Sequence, residues 1–541
     1  MDPANRHRLK RDFPFWVRLS LAFAAVALVY FYRLDRPLLW GDEADTGIEA
    51  RNVLRFGYPA AYDGRNIGVY ENGVQFNRSL LSWTQFYVGG LSLALFGNHT
   101  AGLRWLFALA GLLAFFPIRA VLKPRVRHPD IMAALVLLAP QTVMFQRNAR
   151  YYSLLILLYA VLVWHLSTTF KSNKTRLVVA SLVLILLFHT QSFAAISCCV
   201  ALVVYCWFFR RQALSEYVLA SGLGLLSWLV WYELAGPSLR ETALRFPLIT
   251  SDFASWFASF CTCFLITIMD LDVVDCVPLT FWGVAVALLV WRGHKAIPEN
   301  LREPVFSFIL ISLVVQAAAT AALFGCEMDA HYAILRYMPH LLALAIIPCF
   351  VWLNSAIRIT SLYVAACIAA VAFNLMTLSF WARPYSRTIP VSWVVPVYSE
   401  VFRSQEDPWE AIVDRLRREA HATPNHDTPI AAYPRWTSGI AIFYLGDSYL
   451  VRPILKPGAE QAVCKAIGDE AYRRLFAQPE WIVNAADRGP AIPEGYVPVL
   501  HVPSHRAKPD DGTRPELTRH TFPQSAVLRN LTLYHRQETV Q

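Results

Sequence analysis

Long apolar runs separated by short polar segments fill the first two thirds of the chain. Candidate spans fall at roughly 13–32, 101–122, 130–146, 151–168, 177–190, 193–209, 217–233, 277–291, 305–324, 338–353 and 359–381. Each approaches the ~20 residues that a helix needs to cross a bilayer. The stretch SLLSWTQFYVGGLSLALF at 79–96 is equally apolar but ambiguous. After about residue 382 the pattern changes. No further run is long enough to span, and Trp409, Ile412, Val413 and Leu416 recur at helical spacing in PWEAIVDRLRREA. Short β-like runs follow at Pro429–Tyr433, Tyr449–Leu455, Trp481–Ala485 and Asn530–His535.

The loops decide the status of 79–96. Basic residues gather at Lys123, Arg125 and Arg127; at Lys171, Lys174 and Arg176; at Arg210 and Arg211; at Arg292, Lys295 and Arg302; and at Arg358. If 79–96 crosses, these loops lie opposite the basic N-terminus. If it lies flat in the interface, all of them join the N-terminus on the cytoplasmic side, as the positive-inside rule requires. The second arrangement predicts about eleven spans, an outer loop at 33–100 carrying interfacial helices, and a tail outside. The expected organisation is a transmembrane domain, 1–381, and a small extracytoplasmic α/β domain, 382–541. The first run, 13–32, follows Arg6, Arg8, Lys10 and Arg11 without a small-residue cleavage site, so it is expected to stay as a span.

Composition agrees. Of 541 residues, 56% are apolar and 16% charged, and the mean hydropathy is +0.37. A soluble domain carries about 25% charged residues. The net charge of +10 does not point to nucleic acid, because much of it sits in the short loops between spans. The ten cysteines show no metal-ligand spacing. Cys198, Cys199 and Cys206 fall in an apolar run as packing residues, and the tail holds only Cys464.

Several polar residues on the predicted outer side could carry chemistry. Asp42 and Glu43 stand about ten residues past the first span. Asp42 could cap a helix with Asp45 as partner, or it could act as a general base held at the membrane surface. Arg78, Arg147, Arg150 and Arg336 are each readable as snorkelling anchors. Together they place guanidinium groups where a basic excess is not expected, at the depth of a polyisoprenyl phosphate headgroup, and guanidinium grips phosphate oxygens two at a time. His189 and Gln191 interrupt apolar sequence at a predicted outer turn. Asp270, Asp272 and Asp275 lack the His or ligand spacing of a metal site.

Four segments in order resemble the GT-C superfamily of glycosyltransferases that use lipid-phosphate-linked sugars, which includes the protein O-mannosyltransferases and the aminoarabinose transferases of lipid A. They are GDEADTGIEARNVLRFG, FQRNARYYSLLILLYAVL, LLFHTQSFAA and RYMPHLLALA. Asp42, Glu43 and Arg51 fall on matching positions of the first segment. Tyr337 falls in the last. The chain departs from the pattern at three places. Asn77-Arg78-Ser79 stands where members have a basic residue before two prolines. Asn148 replaces an acidic residue of the second outer loop, which weakens the case for a divalent metal bridged between the loops. Gln191 stands for a histidine.

The resemblance implies an α-helical polytopic membrane enzyme of the cell inner or plasma membrane. It would move a sugar from a polyprenyl-phosphate donor to a lipid, glycan or protein acceptor on the extracytoplasmic face. Asp42 would serve as base, with Glu43 supporting it or sharing the role. Arg78, Arg150 and Arg336 would bind the donor phosphate, and Arg51, Tyr337, His189 and Gln191 would support the site. No cofactor is implied with certainty. A lipid or solute transporter remains the alternative. Transporters, however, commonly show internal repeats and midplane sites, whereas the charges here gather at one face.

Overall fold

The computed structural model describes residues 15–68, 83–168, 170, 172–235, 256–257, 260, 303–324, 337–372, 398, 401–402, 407–422, 427–433, 436–454, 460–485, 490–503 and 530–537. Arg78, Arg336, Asp270, Asp272, Asp275 and the expected span 277–291 lie outside these residues.

The first two thirds form helices: α1 (Phe15–Phe31), α2 (Gly41–Phe56), α3 (Thr84–Phe96), α4 (Thr100–Leu113), α5 (Phe115–Leu122), α6 (Pro129–Leu137), α7 (Pro140–Gln146), α8 (Tyr152–Ser167), α9 (Asn173–Thr190), α10 (Ser192–Phe209), α11 (Leu214–Ala235), α12 (Pro304–Phe324), α13 (Pro339–Leu344), α14 (Ile347–Ala356) and α15 (Thr360–Ala372). Among the described residues six stretches are long and apolar enough to cross a membrane, and α1, α3, α8 and α15 are shorter apolar helices. The chain is an integral membrane protein.

Proline divides two of the expected spans. The run 130–146 is broken between α6 and α7 at Pro140, whose ring removes a backbone donor and crowds the preceding turn. Two of the carbonyls near the break find partners: the Tyr30 hydroxyl donates to Leu137 O at 2.8 Å, and that of Tyr398 to Leu138 O at 2.5 Å. Such repair by neighbouring helices is what makes a proline tolerable inside a membrane. Pro348 similarly begins α14 after a short break from α13.

The helices run back and forth between two ends. At one end, described basic loops bind neighbouring segments. Arg127 donates to Asn354 Oδ1 at 2.9 Å and to Arg358 O at 2.7 Å, Arg125 pairs with Glu303, and Arg176 pairs with Glu216 at 2.5 Å. The opposite end carries α2 and α3. Helix α3 has 13 residues, about 20 Å at 1.5 Å per residue, short of a ~30 Å hydrocarbon core. Both its termini meet the same end of the body. Thr84 Oγ1 donates to His189 O at 2.9 Å at the close of α9, and Phe96 stacks on Trp105 of α4 at 4.2 Å. Both ends of helix α3 thus meet that end of the body, and the helix packs along α2.

The C-terminal unit comprises α16 (Pro408–Ala422), β1 (Pro429–Tyr433), α17 (Trp436–Leu445), β2 (Leu450–Arg452), α18 (Glu460–Ile467), α19 (Asp469–Leu475), β3 (Trp481–Ala485), β4 (Tyr496–Val502) and β5 (Leu531–Arg536). The sheet order is β2-β1-β3-β5-β4. Strand β1 is parallel to β2 and β3, while β5 is antiparallel to β3 and β4. Trp409, Ile412, Val413 and Leu416 bury one face of α16, as their spacing predicts. Strand β4 is not legible in sequence. It carries Pro498 and a register shift, and it survives as a partly exposed edge strand, where a missing donor costs least.

One apolar cluster joins this unit to the helices. It includes Ala44, Ile48, Leu103 and Phe107 on the helical side, and Trp409, Ile412, Ile440 and Phe443 on the other. Helix α17 lies against α2 because Gly47 leaves room for it. A Cβ there would stand 2.4 Å from Phe443 Cε2 and 3.0 Å from Leu103 Cδ2. Gly47→Val should therefore lower the melting temperature. Overpacking costs about 1–3 kcal/mol, against a few tenths gained in helix propensity. An unchanged melting curve would show that the two helices can separate freely.

Candidate active site

Four chain segments converge at the end carrying α2: the start of α2, the start of α3, the turn 146–151 between α7 and α8, and the turn 189–191 between α9 and α10. Asp42 is the second residue of α2. The N-cap position belongs to Trp40, which is extended and makes no side-chain cap. Asp42 is thus not the cap, and its carboxylate is left to other partners. Asp42 and Glu43 both sit in the first turn, where the helix dipole favours negative charge.

The two carboxylates have different surroundings. Glu43 is fully buried and forms a two-pronged pair with Arg104 of α4. Arg104 Nε donates to Oε1 at 2.8 Å and Nη2 to Oε2 at 2.6 Å. The Ala149 backbone N–H donates to Oε1 at 2.7 Å. Glu43 thus ties α2 to α4 and to the turn 146–151. The Asp42 side chain keeps 15% of its surface exposed, and its Oδ2 lies 3.4 Å from Nη2 of Arg150. Arg150 also donates to Asp42 O at 3.1 Å and Thr46 Oγ1 at 3.2 Å. A partly exposed carboxylate beside a guanidinium can accept a proton and face an anion at one place.

The other predicted residues are distributed around this pair. Arg51 reaches the C-terminal unit. It donates to Phe443 O and Ile442 O, each at 3.2 Å, and stacks over the Phe443 ring at 4.9 Å. Arg147 closes the end of α1, donating to Tyr32 O at 2.9 Å and Arg33 O at 3.2 Å. His189 Nδ1 accepts from Trp83 Nε1 at 2.6 Å, and Trp83 also packs on Tyr87 and Trp231. Gln191 starts α10, its Oε1 accepting from Ala194 N at 3.2 Å. Tyr337 packs edge-on against Phe193 at 6.0 Å. Neighbours of Arg78 and Arg336 in sequence, Trp83 and Tyr337, stand at this end; the two arginines themselves lie outside the described residues.

Sequence reasoning missed Arg104. Its signal was a lone charge in the apolar run TAGLRWLFALAG, a residue type that is costly in a membrane unless paired. It also missed the grip on the segment leading to Asp42, whose partners come from far along the chain.

The donor set does not suit a divalent metal between the loops. Glu43 is taken by Arg104 and Ala149, Asp42 faces Arg150, and Asn148 Oδ1 accepts from Trp40 Nε1 at 3.3 Å. Among the described residues no group of three His, Cys, Asp or Glu side chains could hold a metal ion.

A helical membrane body, two short helices at one end and a mixed-sheet unit docked on them make up the fold. Solved structures share it. The chain is similar to ArnT from Cupriavidus metallidurans bound to undecaprenyl phosphate, at a TM-score of 0.50 and 16% identity, over 87% of this chain and 93% of that one. ArnT in the apo state gives 0.45 at 17% identity with the same coverage. The oligosaccharyltransferase AglB from Archaeoglobus fulgidus, in complex with an inhibitory peptide and a dolichol-phosphate, gives 0.42 at 13% identity, covering 87% of this chain and 69% of that chain. No protein-family model matches the chain, and no curated protein matches it in sequence.

Proposed function

We propose that this protein is a membrane glycosyltransferase. It moves a sugar from a polyprenyl-phosphate donor to a hydroxyl-bearing acceptor on the extracytoplasmic face of the inner or plasma membrane. Residues 1–381 form the catalytic membrane part and residues 382–541 an extracytoplasmic unit. The observation that carries this reading is the pairing of Asp42 with Arg150, at one end of a helical body whose fold matches that of undecaprenyl-phosphate-bound ArnT.

The chemistry is a displacement at the anomeric carbon. The acceptor oxygen forms a bond to that carbon while its proton passes to Asp42. The bond from carbon to phosphate oxygen breaks, and its electron pair leaves with the polyprenyl phosphate. Arg150, with Arg78 and Arg336, stabilises the charge on the departing phosphate. Glu43 supports Asp42 by fixing the start of α2 rather than by taking the proton. Arg51 holds the same helix from the other side, and His189, Gln191 and Tyr337 shape the adjoining wall.

The direct test is transfer from a labelled polyprenyl-phosphate sugar by the purified, reconstituted protein. Mass spectrometry of lipid-linked and surface glycans with and without the protein identifies the acceptor. A protein that moves the intact lipid across a bilayer without cleaving its sugar is a transporter instead. For the phosphate contacts, Arg78→Ala, Arg150→Ala and Arg336→Ala should each weaken the apparent donor affinity by about ten- to a hundredfold. That is the weight of a charge-assisted contact of roughly 1.5–3 kcal/mol. Lysine at these positions keeps the charge but loses the fork, so it should rescue only in part. Unchanged donor affinity with a fall in acceptor affinity would move these arginines to the acceptor side.

A further inference from the structure

The segment 34–40 delivers the chain from α1 to Asp42, and it is held from two sides. From the helical body, Arg104 donates to Pro37 O at 2.7 Å and to Leu34 O at 3.2 Å, with the same guanidinium that pairs with Glu43. From the C-terminal unit, Asp407 Oδ2 accepts from Leu38 N at 3.2 Å, and the Tyr444 hydroxyl accepts from Leu39 N at 2.9 Å. Arg36 pairs with Glu410 of α16. The last residue of this strap, Trp40, is the N-cap of α2.

Asp407 has a sufficient local reason to be an aspartate. It precedes Pro408 at the start of α16, and its Oδ1 accepts from Trp409 N at 2.9 Å, which is an ordinary N-cap. A cap needs one oxygen. The second oxygen reaches across to Leu38, a partner 369 positions away in sequence. Both oxygens accept, and both of their donors are backbone N–H groups. The ionised carboxylate serves both best, because protonation turns one oxygen into a donor and leaves it a weaker acceptor.

We propose that Asp407 is a positioning residue, through which the C-terminal unit holds the strap 34–40 and so sets the placement of the Asp42 carboxylate. Its role in transfer rests on the glycosyltransferase reading; its role in ordering the strap does not.

Asp407 is 6% exposed. Burial raises its carboxyl to about 6; the Trp409 and Leu38 N–H groups oppose the rise, Glu410 adds to it and Arg104 works against it. Among the described residues the charged and titratable groups facing it are Arg104 of α4, Glu410 of α16, Arg36 of the strap and Tyr444 of α17. Between about pH 4 and pH 6 the folded carboxyl keeps a proton that the unfolded chain has lost. The group therefore favours the fold on the acid side and costs stability above pH 6. A neutral isostere, Asp407→Asn, removes that cost and should fold. It keeps one acceptor and turns an N–H₂ toward the other donor, so it mimics the protonated acid.

The experiment compares wild type, Asp407→Asn and Tyr444→Phe in two ways. Hydrogen exchange by mass spectrometry follows the peptides covering 34–48. Transfer kinetics are measured between pH 5 and pH 8. At pH 7.5, Asp407→Asn should exchange faster in this segment. It should lose about ten- to a hundredfold in kcat, the scale of an ångström-sized misplacement, with donor KM unchanged. The ratio of wild-type to variant kcat should shrink toward one below pH 6, where the wild type carries the same neutral group. Tyr444→Phe should also slow transfer, with a ratio that stays flat because its hydroxyl does not titrate there. Unchanged exchange over 34–48, or a wild-type to Asp407→Asn ratio constant with pH, would overturn the proposal. If the wild type transfers no sugar, the glycosyltransferase reading fails, and the exchange result alone decides whether Asp407 orders the strap.

Discussion

Asp42→Asn is expected to reduce sugar transfer by about 10²–10⁴-fold, the usual weight of a general base, while the protein folds and melts nearly as wild type does. The swap keeps the size and shape of the side chain and removes only its charge. The loss to the fold is limited for two structural reasons. Asp42 is inside the first turn of α2 rather than at its cap, so the charge contributes to the helix mainly through the dipole, about 0.3–1 kcal/mol. Arg150, its partner, keeps hydrogen bonds to Asp42 O and Thr46 Oγ1 that do not depend on the carboxylate. The measurements are the initial rate of transfer in reconstituted membranes and the melting curve of the same preparation. A variant that transfers at near the wild-type rate removes Asp42 from the role of base. A variant that is inactive because it no longer folds assigns the residue to the architecture instead.

The apolar periodicity of the sequence made most of the helical body legible, because a membrane span must hide its whole backbone and so advertises itself by length. The run at 192–209 and the run at 304–324 emerge as single helices close to their expected bounds. Cys198 and Cys206 of the first are buried and Cys199 is partly so, as packing residues should be. The breaks at Pro140 and Pro348 were written in the sequence as prolines inside apolar runs. A membrane helix can either bend at such a residue or divide there, and the choice depends on which neighbours, here Tyr30 and Tyr398, can accept the task of bonding the freed carbonyls.

The site was legible in a different degree. The pair Asp42–Glu43 stood out as adjacent carboxylates after an apolar run, but adjacency in sequence could not divide their roles. That division comes from α4, which presents Arg104 to Glu43 and leaves Asp42 to Arg150. Arg147 and Arg150 looked alike as outer-face cations, yet one closes the end of α1 and the other faces Asp42. The strap before Asp42 depends on Asp407 and Tyr444, hundreds of positions downstream, and no local pattern signals a backbone donor waiting for them.

Glu43 should respond to substitution in the opposite sense from Asp42. Removing one member of a buried ion pair leaves the other charge without compensation, at a cost of about 3–5 kcal/mol. That is a large part of the 5–15 kcal/mol by which a typical domain is stable. Arg104 would be the stranded charge, held in a site where only 4% of its side chain is exposed. Glu43→Ala should therefore melt well below wild type and accumulate poorly in the membrane, and Glu43→Gln should fall between the two. The same buried charge predicts a partial rescue. Replacing both members, Glu43→Gln with Arg104→Met, leaves no lone ion, so the double variant should melt above Glu43→Ala and show strong non-additivity in a mutant cycle. It should not recover full transfer, because Arg104 also holds the strap carbonyls at Leu34 and Pro37, and Glu43 also receives the Ala149 N–H. Melting curves of the purified variants, read beside transfer rates, make the comparison. If Glu43→Gln melts like wild type but transfers no sugar, Glu43 takes part in the chemistry beside Asp42 rather than supporting it.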